Sequence, residues 1–134
     1  MKRLALVLMV LALSACAAEP FSDGDGKRIR LAAEQLFGEL ERADYTTAAS
    51  HWCASSGTPP TAAELRDGFA AYPRPWKTKM VSSQHTPGGT GTVNLTLTDG
   101  SGTDHPYNVD FTMAGGATQV CDVSTGTMHI DVEI

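Results

Sequence analysis

The hydrophobic period of this chain changes once, near Trp76, and that change limits the possible fold more than any other feature. Before it, apolar residues recur at three- and four-residue intervals: Ile29, Ala33, Leu36, Phe37 and Leu40, then Tyr45, Ala48, Ala49, Trp52 and Cys53. That spacing is one face of an α-helix. After it, apolar residues alternate with polar ones: Val93, Leu95 and Leu97, then Tyr107, Val109, Phe111 and Met113, then Met128, Ile130, Val132 and Ile134. Alternation of that kind belongs to antiparallel strands with one covered face and one wet face. Helices first and strands afterwards predict an α+β domain, with N-terminal helices packed on a curved antiparallel sheet.

The local signals divide these regions. Helix 1 is predicted from about Gly26 to Ala43, with Asp25 as its N-cap. Asp44 is the expected N-cap of a second helix carrying Tyr45 to Cys53 on its apolar stripe. Thr61-Ala62-Ala63-Glu64 reads as a capping box for a third helix, with Leu65, Phe69 and Tyr72 on one side. Pro73 and Pro75 close it. Strands are expected over Trp76–Gln84, around Val93–Thr98 and Tyr107–Met113, over Ala117–Val123, and over Met128–Ile134. Pro87-Gly88-Gly89, Asp99-Gly100 and Gly115-Gly116 mark the turns between them.

The N-terminus has a separate logic. Lys2 and Arg3 precede an unbroken apolar run from Leu4 to Leu13. At about 1.5 Å per residue, such a run spans roughly 15 Å as a helix. A bilayer core is about 30 Å thick, so the run has the proportions of a signal-peptide h-region, not of a span. Leu13-Ser14-Ala15-Cys16 then resembles the lipobox of bacterial lipoproteins. The resemblance implies a diacylglyceryl group on the thiol of Cys16 and cleavage just before it. Residues 1–15 would be the signal peptide, residues 16–25 the lipidated cysteine and a tether, and residues 26–134 the domain. About nine tether residues would reach roughly 15–18 Å, holding the domain close to the membrane. The expected location is outside the cytoplasm, on the cell membrane or the outer membrane.

Charge excludes some partners. Lys2 and Arg3 are two of the ten basic residues, so cleavage leaves eight against fifteen acidic ones, a net charge of −7. Nucleic-acid binding needs a basic face, which this composition does not supply. An acidic body is repelled by anionic lipid, so a lipid anchor would have to do the holding.

With Cys16 assigned to lipid, Cys53 and Cys121 remain. An exported compartment permits disulfides, and an even count favours pairing. The alternative is two buried free thiols. A bond would close a loop of about 69 residues, worth roughly 4 kcal/mol in the chain-entropy model. Cys121 shares its strand parity with Val123, and Cys53 lies on the helix 2 stripe.

The order of three helices and about five strands resembles the NTF2-like, or cystatin-like cone, superfamily. LAAEQLFGELERADYTTAASHWC, residues 31–53, is similar to the opening of small exported domains of that kind. GGATQVCDV, residues 115–123, is similar to their penultimate strand, although Thr118 stands where they often carry an aromatic. The superfamily contains enzymes, ligand binders and scaffolds, so fold alone does not assign function.

Its enzymes place acids and bases inside the cone. Here Tyr107 is the one titratable residue in the inward rows, while Asp110, His129, Asp131 and Glu133 have the opposite parity. Acid–base catalysis needs a positioned group in a protected site. Asp44, Tyr45 and His51 at the mouth are better read as a cap, a core aromatic and a surface histidine. No catalytic residue and no cofactor is therefore assigned. No metal is assigned either: the histidines are scattered, and Lys27 breaks the calcium-loop pattern begun by Asp23-Gly24-Asp25-Gly26. Trp52, Phe69, Tyr72 and Trp76 are the candidate ligand-binding residues: of the aromatic set they form with Phe37 and Phe111, three sit at helix ends, where a cone opens, and the alternative is that the set is plain core. The expected function is a lipid-anchored, non-catalytic binding module for an envelope protein or an apolar ligand. The alternative is a small cone enzyme, of isomerase, cyclase or hydrolase type, acting on an apolar substrate.

Overall fold

A computed structural model describes residues 24–54 and 57–125. The expected lipobox, the tether up to residue 23 and the expected strand Met128–Ile134 lie outside these residues. In chain order the elements are α1 (Gly24–Glu41), α2 (Tyr45–Ala49), α3 (Ala62–Phe69), β1 (Lys77–His85), β2 (Thr90–Thr98), β3 (Asp104–Thr112) and β4 (Gln119–Thr125). The strands form a curved antiparallel meander in the order β1-β2-β3-β4. The α+β class is as the two periods predict.

Helix α1 lies on the sheet through Ile29, Ala33, Leu36, Phe37 and Leu40, each no more than 1 % exposed. Fully burying a large apolar side chain contributes about 1.5–3 kcal/mol, whereas helix propensities differ by tenths. Packing, not propensity, holds this helix. It starts two residues before the predicted boundary, and Asp25 lies in its first turn instead of capping it. The Asp25 carboxylate accepts from Gly88 N (3.1 Å) and meets Arg28 at 3.4 Å. It therefore ties α1 to the β1–β2 turn.

At its other end α1 stops at Glu41. Ala43 has φ 58°, in the left-handed region. The amide of Asp44 donates to Glu39 O (2.9 Å) and that of Ala43 to Leu40 O (3.1 Å). This is the Schellman pattern, with alanine where glycine is usual. Arg74 reaches across to donate to the carbonyls of Leu40 and Glu41. A cation at these C-terminal carbonyls also suits the helix dipole.

Helix α2 departs most from expectation. Asp44 caps it by accepting from Thr47 N, but the helix ends at Ala49. Trp52 and Cys53 are not helical. They belong to an extended segment that makes a parallel bridge to β4: Val120 N donates to His51 O (2.8 Å), and Cys53 N donates to Val120 O (2.6 Å). These sheet bonds replace the i→i−4 bonds that would have carried the helix onward.

The sheet has its own irregularity at Cys121. Val109 faces Val123 and Asp110 faces Asp122, but Phe111 faces Val120. Cys121 is the extra residue of a bulge. Val120 and Val123 consequently both face inward with Phe111 and Val109, which strict alternation from Cys121 to Val123 does not allow. A second bulge at Val81 breaks the β1–β2 register and leaves that side chain 57 % exposed. On β2 and β3 the expected rows hold: Val93, Leu95, Leu97, Tyr107, Val109 and Phe111 are buried, with Met113 just beyond.

The β2–β3 connection is a five-residue loop, Asp99 to Thr103, longer than the Asp99-Gly100 pair suggests. Its shape comes from Asp99, whose Oδ1 accepts from Ser101 N, Ser101 Oγ and Thr103 N. Gly100 N donates to Pro73 O (2.6 Å), and a Cβ at residue 100 would lie 2.6 Å from Arg74 O. Glycine is required there by the close approach of two backbones.

Candidate functional site

Trp52, Phe69 and Tyr72 belong to the aromatic set expected at the mouth of a cone, and folding brings all three to one cleft. It has a volume of about 410 Å³. One wall is α3 with Leu65 and Phe69; the other is β4 with Cys121, Asp122 and Val123. Trp52 stands at the side, Tyr72 and Tyr107 also line it, and Glu64 and Asp122 supply carboxylates.

Trp76, the fourth residue expected there, is not among the lining residues. It is 6 % exposed and packs behind them, its indole N–H donating to Tyr72 O (3.3 Å) and Arg74 stacking over its ring at 5.0 Å. Its role is to support Tyr72. Tyr107 was legible as the one inward titratable residue, but nothing in the sequence joined it to Tyr72. Their hydroxyl oxygens lie 2.7 Å apart.

Around this pair is an aromatic cluster. Phe69 meets Phe37 edge-on at 6.0 Å, Tyr107 at 5.6 Å and Tyr72 edge-on at 6.1 Å between centroids. Such contacts hold rings in place beyond simple area burial. His105 stacks on Tyr72, with centroids 4.0 Å apart and planes 16° from parallel. The Nε2 of His105 meets Asp99 Oδ2 at 2.9 Å. A chain of direct contacts thus runs from Asp99 through His105 and Tyr72 to Tyr107.

Protonation follows from these surroundings. Burial, then the hydrogen bond with Tyr72, pushes the Tyr107 phenol well above the ordinary tyrosine range. It remains a neutral hydroxyl. The hydrogen bond from His105, then that from Ser101, holds the Asp99 carboxyl well below the usual carboxylate range. Asp99 remains ionised.

His51 is not a plain surface histidine. Its Nε2 lies 2.9 and 2.8 Å from the two carboxylate oxygens of Glu39, which is 3 % exposed. A carboxylate on the buried side of α1 needs such a partner. The periodic stripe gave no sign of it, because Glu39 falls between Leu36 and Leu40.

Cys53 and Cys121 are disulfide-bonded, with Cα atoms 5.1 Å apart, inside the range the bond requires. Disulfides of this kind persist in oxidising, extracytoplasmic compartments. Among the described residues no helix is long and apolar enough to cross a membrane, and no three His, Cys, Asp or Glu residues gather as a metal site. No protein-family model matches the chain, and comparison with curated proteins gives no match.

Proposed function

We propose that this chain is a lipid-anchored lipoprotein of the bacterial cell envelope whose domain, of NTF2-like type, is a non-catalytic module binding an apolar ligand. The observation that carries the binding part is the cleft walled by Leu65, Phe69, Trp52 and Tyr72. Its lining mixes these side chains with the polar Thr58, Glu64, Asp122 and Thr125, and a volume of several hundred cubic ångströms where apolar surface and convergent polar groups meet is in the range of small-molecule sites. The Cys53–Cys121 bond supports export. The anchoring part rests on the sequence from Lys2 to Cys16. The helix-then-meander order supports the NTF2-like assignment.

Two measurements test the two parts separately. Fatty-acid labelling in an exporting bacterium should mark the wild-type protein and not Cys16→Ser; label retained on the variant would remove the anchor. For the cleft, 2-ethylnaphthalene should bind the protein and lose most of its affinity in Phe69→Ala, with Val81→Ala, on the far side of the sheet edge, unchanged. Equal binding to all three would remove the cleft as the site.

A further inference from the structure

Two phenols meet in the cleft, and together they carry two hydroxyl hydrogens, of which their mutual contact uses one. Among the described residues neither hydroxyl has a second hydrogen-bond partner. The direction of the shared bond decides which hydrogen is left over. Tyr107 is only 5 % exposed, and Tyr72 is the acceptor beside its oxygen. A buried donor without an acceptor costs about 1–3 kcal/mol. Either oxygen can donate in this pair; burial favours Tyr107 as the donor, because Tyr72 is then the acceptor for the buried hydrogen. The spare hydrogen is on Tyr72, the more exposed of the two phenols.

The Tyr72 ring is held on several sides. His105 stacks on its face, Phe69 and Trp76 meet it edge-on, and Trp76 holds its carbonyl. A donor fixed in this way beside apolar walls selects a ligand with an acceptor to offer. The charges select further. Glu64 and Asp122 both line the cleft, and among the described residues no lysine or arginine does. An anionic ligand would meet like charges without a counter-ion.

We propose that the cleft takes a small, neutral, apolar molecule carrying one hydrogen-bond acceptor of ketone, ester or ether type. The acceptor sits on the Tyr72 hydroxyl and the hydrocarbon body lies against Phe69, Leu65 and Trp52. This rests on the cleft being the binding site, as argued above.

The test compares near-isosteric probes: 2-acetylnaphthalene, which has the acceptor, 2-ethylnaphthalene, which lacks it, and 2-naphthoate, which is anionic. Binding to the purified full-length protein is measured by equilibrium dialysis in the presence of phospholipid vesicles, with protein-free vesicles as the blank. A net hydrogen bond of ordinary strength predicts a preference of roughly three- to tenfold for the ketone over the hydrocarbon. The naphthoate should bind more weakly than the ketone. Tyr72→Phe should bring the ketone down to the hydrocarbon and leave the hydrocarbon unchanged. Equal binding of ketone and hydrocarbon to the wild-type protein overturns the proposal and leaves the cleft reading standing. So does a ketone preference that survives in Tyr72→Phe, and so does tighter binding of the naphthoate. If none of the three probes binds above the blank, the cleft reading fails and this proposal fails with it.

Discussion

Cys121 is the bulge residue of β4, and its sulfur is bonded to Cys53, four residues past the end of α2 at Ala49, where the chain has become a partner of that same strand. The Cα atoms are 5.1 Å apart, and Val120 exchanges backbone hydrogen bonds with both His51 and Cys53. The covalent link and the backbone bridge thus fasten the helical layer to the sheet at one place. The bulge is what lets Cys121 turn toward Cys53 while Val120 and Val123 stay inward.

The first prediction concerns this junction. The bond spans a sequence separation of 68 residues, so opening it enlarges the unfolded ensemble substantially. The double variant Cys53→Ser/Cys121→Ser should be less stable by about 2–5 kcal/mol. Urea unfolding of oxidised wild type and variant would measure it. Coincident midpoints would show that the bridge contributes nothing.

A second prediction lies at the end of α1. Ala43 sits at φ 58°, a region where an L side chain costs roughly 1–2 kcal/mol and glycine costs little. Glycine also frees the unfolded chain, which returns some of that gain. Ala43→Gly should therefore stabilise the protein by about 1 kcal/mol, against the usual penalty for introducing glycine. Thermal unfolding should show a higher midpoint; a lower one would contradict the left-handed cap.

Acid stability gives a third. The folded protein holds the Asp99 carboxyl below its ordinary value of 3.8, through His105 first and Ser101 second. A group whose folded pKa is depressed stabilises the fold above its unfolded value, and that contribution is lost as pH falls through the folded one. The stability gap between wild type and Asp99→Asn should be flat above about pH 5 and shrink below about pH 4. Denaturant midpoints measured from pH 6 down to pH 3 would test this, and a constant gap would refute it.

Much of the architecture was readable from the chain alone. The helical stripe of Ile29, Ala33, Leu36, Phe37 and Leu40, the rows from Val93 to Leu97 and from Tyr107 to Met113 and the Asp44 and Thr61 caps all follow from local rules. A side chain's face is set by its own backbone period, and a cap by the residues two or three places on. These are properties of short segments. They need no knowledge of what the segment meets.

What tertiary structure decided is each feature whose partner is distant in sequence. Trp52 and Cys53 continue a perfectly good helical pattern, yet two hydrogen bonds to Val120 pull them into the sheet. The bulge at Cys121 interrupts alternation because the neighbours Phe111 and Asp110 are registered on Val120 and Asp122, two positions apart, an offset visible only across the ladder. Glu39 is buried against the stripe rule because His51 is there to receive it. The Tyr72–Tyr107 contact joins residues 35 apart, one after a helix and one on a strand. Periodicity states which way a side chain faces; only packing states what it meets, and the candidate site is made of such meetings.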